Sequence, residues 1–213
     1  MSARVTVIIA DDHILVAQAC KKLLEREFNV VAIVGDGRML VRKAIELKPD
    51  VIVVDIHMPM LNGLDAGQQI CKAVPTTKLL YVTMDPDPDL AAEALRRGAA
   101  GYLLKSCAAT EIITALNSAM QGECFVSPAI IREAIASVQQ EPAMAPGTEL
   151  LTERQREVLQ LLAEGRPMKQ VADILNLTTR TVAFHKYRIM EALNLGRDAG
   201  IVQYALKNHI LSA

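Results

Sequence analysis

Along the first 120 or so residues the pattern of apolar and polar positions switches repeatedly between two periods. Val5–Ile9, Val30–Val34, Val51–Val54, Lys78–Val82 and Gly101–Leu104 are short, nearly continuous aliphatic runs, the signature of strands covered on both faces. Between them, residues 14–26, 39–47, 64–73, 90–97 and 110–121 carry apolar residues at helical spacing. In the second of these, Leu40, Ile45 and Leu47 supply the apolar side, while Arg38, Arg42, Lys43 and Glu46 supply the wet one. Gly35, Asp36, Gly37, Pro49, Asp50, Pro75 and Gly98 punctuate the boundaries. Five β-then-α units predict a five-stranded, parallel, doubly wound α/β domain with helices on both faces. Such sheets carry their sites at the carboxyl ends of the strands.

Residues 137–149 lose all periodicity and hold two prolines and a glycine, so they read as linker, with Pro128–Ala136 a short helix at its edge. Beyond them no strand-like run occurs. Four helices are expected over 153–164, 168–175, 179–193 and 197–208. The organisation is thus a domain over 1–121, a linker with a short helix over 122–149, and an all-α domain over 150–213.

Composition narrows the classes. Hydrophobic residues make up 51% of the 213 and charged residues 22%, which excludes a disordered chain. No run reaches the length of a membrane span, and the apolar stretch before Asp11 is too short for a secretory signal, so a cytoplasmic protein without membrane attachment is expected. Aromatics are 3% and Trp is absent, which argues against many stacking platforms. Cys20, Cys71, Cys107 and Cys124 have no C-x-x-C spacing and are expected as free thiols. Net charge is −1, divided as −4 over residues 1–149 and +3 over 150–213. That split fits random scatter, or a C-terminal part that meets a polyanion.

The polar residues at the strand ends carry the chemistry. Asp11 and Asp12 follow the first strand, Asp55 ends the third, Thr83 the fourth and Lys105 the fifth. Taken singly, an Asp after a strand is usually a turn or cap, and Asp12 is a candidate cap for the first helix. Together the five converge on one sheet edge. Clustered carboxylates suit Mg²⁺, which takes one or two of them and keeps room for a phosphate oxygen. Asp55 is then a carboxylate nucleophile toward phosphorus, with Lys105 balancing charge and Thr83 bonding a phosphoryl oxygen.

The stretches Ile9-Ala-Asp-Asp-His, Val54-Asp-Ile-His-Met-Pro-Met-Leu-Asn-Gly-Leu, Tyr81-Val-Thr-Met and Gly98-Ala-Ala-Gly-Tyr-Leu-Leu-Lys resemble the receiver domain of bacterial response regulators. The resemblance implies a flavodoxin-like fold and Asp55 as phosphoacceptor for a cognate sensor histidine kinase. It implies Mg²⁺ held by Asp12, Asp55 and the main-chain carbonyl of His57, with Asp11 acting through water. It also implies a switch pair, Thr83 and Tyr102, whose ring turns inward, a reading placed ahead of the alternative that Tyr102, on a buried strand, is core only. Met84 stands where the family carries a small residue and is expected to narrow the approach to Asp55. The loop Asp85-Pro-Asp-Pro-Asp89 is acidic and stiffened on the face that normally changes shape.

In the C-terminal part, Thr152-Glu-Arg-Gln155 is a capping box, and Val158, Leu159 and Leu162 give the helix behind it a buried stripe. Val171, Ile174 and Leu175, the turn at Asn176 and a cap at Thr178 complete a helix–turn–helix pattern. On the third helix Val182, Ile189 and Leu193 should face inward, and Arg180, Phe184, Tyr187 and Glu191 outward, flanked by Ala183 and Arg188. This outer surface suits a major groove, where Phe can touch a thymine methyl, or else a helix partner. Leu151-Thr-Glu-Arg-Gln-Arg-Glu-Val-Leu, Val171-Ala-Asp-Ile-Leu-Asn-Leu-Thr and Thr181-Val-Ala-Phe-His-Lys resemble the LuxR-type DNA-binding domain, and the whole chain resembles the NarL/FixJ family. This implies that Ala183, Phe184 and Tyr187 face bases of double-stranded DNA, with Arg180, Thr181, Lys186 and Arg188 near phosphates. Lys169 and Thr179 complete the implied DNA-facing set. A homodimer on DNA is implied, with Ile201, Val202, Leu206 and Ile210 of the last helix as its seam or as bundle core.

The expected function is therefore a non-enzymatic transcription regulator switched by Mg²⁺-dependent phosphorylation of Asp55. Two other classes stay open: a DNA-binding regulator that ignores phosphorylation, and an aspartate-based phosphatase. The latter wants a second acid two residues after the nucleophile, where His57 stands.

Overall fold

The computed structural model describes residues 4–137 and 150–211, and the chain forms two compact units, Met1–Ala143 and Met144–Ala213. The first unit alternates β1 (Thr6–Ala10), α1 (Ile14–Leu24), β2 (Asn29–Val34), α2 (Gly37–Leu47), β3 (Val51–Asp55) and α3 (Gly63–Ala73). It continues through β4 (Lys78–Thr83), α4 (Pro88–Arg96), β5 (Gly101–Leu104), α5 (Ala108–Gln121), β6 (Phe125–Val126) and α6 (Pro128–Ser137). The strands form one parallel sheet in the order β2-β1-β3-β4-β5-β6. The chain leaves β1 for β2 and then returns to lay β3 on the other side of β1. The carboxyl ends of β1 and β3 therefore flank the switch point, where such sheets open a crevice.

Period-two alternation sorts each central strand between two cores. Ile8 and Ala10 of β1 and Ile52 and Val54 of β3 pack with Leu40, Ala44, Ile70, Ala91 and Ala94 of α2, α3 and α4. Val7, Ile9, Val51 and Val53 pack with Ala17 and Leu24 of α1 and Ile112, Ala115 and Leu116 of α5. The inward line of α2 is Gly37, Leu40 and Ala44. Ile45, expected on its apolar side, is exposed because it falls off that line, and Leu47, which continues the line, is exposed as the last residue of the helix.

The sheet has six strands where five were expected. The sixth is only two residues long, too short to give a periodic signal. It pairs Phe125 with Gly101 and Val126 with Tyr102. A Cβ on Gly101 would stand 2.7 Å from the Phe125 carbonyl oxygen, so the glycine is what lets β6 approach. The expected linker also starts too early at residue 122. Ile130 of α6 is buried among Leu90, Ala91, Tyr102 and Leu104. Ser127 is fully buried, accepts the Leu104 N–H at 3.3 Å and donates to the Glu111 carboxylate. Residues 138–149 lie outside the described residues.

The second unit holds α7 (Glu153–Ala163), α8 (Met168–Leu175), α9 (Thr179–Ala192) and α10 (Ala199–Lys207). Thr152 and Gln155 form the reciprocal capping box at the start of α7. Asn176 takes φ +53° to turn the chain after α8, and Thr178 caps α9 through the Thr181 N–H. Val158, Leu159, Leu161, Val171, Leu175, Val182, Ile189, Ile201, Ala205 and Ile210 are buried. Leu162 and Leu193, both expected inside, are only half-buried. On α10, Val202 and Leu206 face outward while Ile201 is buried, as is Ile210 beyond the end of the helix. No helix among the described residues is long and apolar enough to cross a membrane.

Candidate functional site

Asp11 directly follows β1 and Asp55 ends β3, its neighbour in the sheet. Both are buried, whereas Asp12 is exposed. Lys105 follows β5, two strands away, and its ammonium reaches back to the centre of this crevice. Its Nζ lies 2.7 Å from Asp55 Oδ2 and 2.8 Å from Asp11 Oδ2, with all three side chains at most 8% exposed. The remaining carboxylate oxygens are also engaged. Asp55 Oδ1 accepts the His57 N–H at 3.3 Å, and Asp11 Oδ1 accepts the His13 N–H at 2.8 Å.

These contacts set the charge states. Burial pushes the Asp55 carboxyl above its ordinary range, and the neighbouring Asp11 charge adds to this, while the Lys105 ammonium and the His57 N–H oppose it. Burial pulls Lys105 down, but hydrogen bonds and charge from Asp11 and Asp55 outweigh it, so the net movement is upward. The group is therefore an ammonium at neutral pH. Cys20, under the same crevice, is pushed up to about 12 by burial and then by Asp11, which leaves it an inert thiol.

Thr83 ends β4 between Asp55 and Lys105 in the sheet and is fully buried. Its Oγ1 accepts the Asp85 N–H at 3.1 Å. Asp85 Oδ1 in turn accepts from Asp87 N at 3.1 Å, and Asp87 Oδ1 from Asp89 N at 2.8 Å, so a ladder of side-chain caps runs from Thr83 into α4. The Tyr102 ring is already inside, and its hydroxyl donates to the Asp85 carbonyl at 3.4 Å. Met84 is 72% exposed.

The loop after Asp55 is held by close backbone approach. A Cβ on Gly63 would stand 2.1 Å from the Asp55 carbonyl oxygen, and the Gly63 N–H donates to Ile56 at 2.7 Å. Sequence reasoning passed over His13 as a site residue. Its Nδ1 lies 2.9 Å from Asp12 and 3.2 Å from Asp11. The available signal was its position directly after the paired acids. Asp11, Asp12, His13 and Asp55 each offer one ligand atom within 4.8 Å of the others. Three of these donors are hard carboxylate oxygens, the type of ligand that Mg²⁺ prefers.

In the second unit, Lys169 is exposed on α8, and Thr179, Arg180, Ala183, Phe184, Tyr187 and Arg188 are exposed on α9. Thr181 and Lys186 are half-buried. Val182 and Ile189 turn to the core from the opposite side. Lys186 pairs with Asp198 at 2.5 Å and Arg188 with Glu191 at 3.0 Å.

Residues 7–117 match the response regulator receiver domain, and residues 149–205 match the luxR family of bacterial regulatory proteins. The chain belongs to the NarL/FixJ family of two-component response regulators. The oxygen regulatory protein NreC of Staphylococcus aureus is 33% identical over 96% of this chain and 98% of its own. The RcsB response regulator of Salmonella typhimurium is similar in structure, with 26% identity, a TM-score of 0.63, and coverage of 96% of this chain and 98% of that one. A solved complex of RcsB with DNA matches with 26% identity and a TM-score of 0.61, over 96% of this chain and 99% of that one. A NarL/FixJ regulator pairs a receiver, the kind of domain a histidine kinase addresses, with a DNA-binding unit that regulates transcription.

Proposed function

We propose that Asp55 accepts a phosphoryl group from a sensor histidine kinase or a small phosphodonor, and that this changes the affinity of the helix–turn–helix unit for double-stranded DNA. One observation carries the reading: the Lys105 ammonium lies 2.7 Å from Asp55 Oδ2 in a buried crevice that also holds Asp11. An Asp55 oxygen forms the new bond to phosphorus. The bond from phosphorus to the donor's imidazole nitrogen or acyl oxygen breaks, and its electron pair leaves with the donor. Lys105 keeps Asp55 ionised against the effect of burial and balances the phosphoryl charge. Thr83 Oγ1 accepts from Asp85, which leaves its own proton to donate to a phosphoryl oxygen. Asp11, Asp12, Asp55 and the His57 carbonyl would hold Mg²⁺. When bound, the ion adds charge neutralisation at the phosphoryl oxygens. The DNA-facing set is Lys169, Thr179, Arg180, Thr181, Ala183, Phe184, Lys186, Tyr187 and Arg188, and the bound form is a homodimer in the cytoplasm.

Incubation with acetyl phosphate and Mg²⁺, followed by intact-mass measurement, tests the site. Wild type gains one phosphoryl group and Asp55→Asn gains none. Equal labelling of the two proteins overturns the assignment.

A second reading has its own observation. The Tyr102 ring is already inside, and the Thr83–Asp85–Asp87–Asp89 ladder, stiffened by Pro86 and Pro88, already braces the face expected to move. On this reading the receiver is preset and DNA binding ignores phosphorylation. Equal DNA affinity with and without phosphodonor favours it.

A further inference from the structure

The exposed face of α9 is unusual in what it lacks. Its two central large side chains are aromatic: Phe184 is 58% exposed and Tyr187 is 66% exposed. Ala183 beside them is exposed as well. Three of these helix positions fall on one side, since residues three or four apart are neighbours on a helix. The basic groups nearby are partly spent, because Lys186 is paired with Asp198 and Arg188 with Glu191. Neither Ala183 nor Phe184 has a side-chain hydrogen-bond donor or acceptor, so neither can read the polar edge of a base.

The Phe184 ring has neighbours on two sides. The Arg188 guanidinium lies over its face, 5.7 Å from the centroid, and the His185 ring meets it edge-on at 5.9 Å and 66°. Arg188 is tethered in turn at Glu191. These contacts favour one orientation of the exposed ring, which lowers the ordering cost of a specific contact.

In the major groove the bases present hydrogen-bonding groups and one apolar mark, the C5-methyl of thymine. From this we infer that Phe184 is a specificity-determining residue that reads a thymine methyl. The inference rests on the DNA-binding reading above and deepens it: the preferred ligand is a duplex with a thymine at one fixed position in each half-site. Affinity then depends on a single methyl group at that position. Burying one such group is worth roughly a fourfold change in affinity.

The test uses the full-length chain and a randomised duplex pool. After selection, each thymine of the enriched duplex is replaced singly by deoxyuridine, which removes only the C5-methyl. Affinities are measured for wild type and Phe184→Ala, with circular dichroism as the check on folding. Wild type is expected to lose about fourfold at one thymine per half-site. Phe184→Ala should bind the thymine and deoxyuridine duplexes alike. Enrichment of a duplex in which no deoxyuridine substitution matters overturns the inference and leaves DNA binding standing. So does a Phe184→Ala protein that still discriminates, or one with wild-type affinity for every duplex. Failure to enrich any duplex at low salt overturns the DNA-binding reading and this inference with it.

Discussion

Lys105 Nζ bonds Oδ2 of Asp55 at 2.7 Å and Oδ2 of Asp11 at 2.8 Å, so one ammonium serves two buried carboxylates. Lys105→Ala leaves those acids facing each other without a cation. Breaking a buried pair from one side costs about 3–5 kcal/mol. Protonation of Asp55, which burial already favours, offers partial relief, so the expected loss is near the lower end, about 3 kcal/mol at neutral pH in chelator. Urea unfolding measures it. Added Mg²⁺ should raise the unfolding midpoint of the variant more than that of wild type, because a cation at the same acids replaces the missing charge. Equal responses to Mg²⁺ would contradict this account of the crevice.

Gly63→Ala acts on the same site through the backbone. Its Cβ would fall 2.1 Å from the Asp55 carbonyl oxygen and 2.9 Å from Ile56 Cα. Neither atom can move without shifting the end of β3. A destabilisation of about 2 kcal/mol is expected. Slower labelling by acetyl phosphate should accompany it, because the nucleophile moves with its backbone. Wild-type stability and labelling together would show that the loop absorbs a methyl freely.

Asp50 supplies a pH-dependent clamp away from the site. Its Oδ2 accepts the Thr6 N–H and the Thr6 hydroxyl, each at 2.7 Å, tying the start of β1 to the residue before β3. The Thr6 backbone bond, then the Thr6 side-chain bond, hold this carboxyl below its ordinary 3.8, with slight burial opposing. A depressed folded value means that the stabilisation is present above pH 3.8 and is lost as pH falls through the folded value. Asp50→Ala should therefore cost about 1 kcal/mol at pH 7, a small figure because the pair is exposed. The difference from wild type should shrink on acidification below pH 3.8. A gap that stays constant through that range would assign the effect to packing.

Much of this molecule was legible in the order of its residues. Val51–Val54 reads as a buried strand because both faces are covered, and Asp55 stands out as the first polar residue after it. The same logic exposes Asp11, Thr83 and Lys105 at the ends of their strands. That Lys105 meets these acids was legible from their shared sheet edge, but not that one ammonium bonds an oxygen of both Asp11 and Asp55, which depends on β1 and β3 being neighbours, and periodicity carries no strand order. Nor was β6, whose two residues cannot show a period and whose pairing relies on the bare Gly101 backbone. Ile45 misled because hydrophobicity was read without the helical phase set by Leu40 and Ala44, whereas Leu47 is in phase with both and is exposed where the helix ends. On α9 the inward and outward faces followed from the phase of Val182 and Ile189, but the tethering of Lys186 by Asp198 did not. That contact joins a helix to a residue before the next helix, and only the fold brings them together.

The central claim is that chemistry at Asp55 governs affinity for DNA. The most direct measurement is the dissociation constant of the full-length chain for a selected duplex at fixed salt and Mg²⁺, before and after treatment with acetyl phosphate. The account predicts a change for wild type and none for Asp55→Asn. An unchanged constant in a wild-type sample shown by mass to be phosphorylated would contradict it.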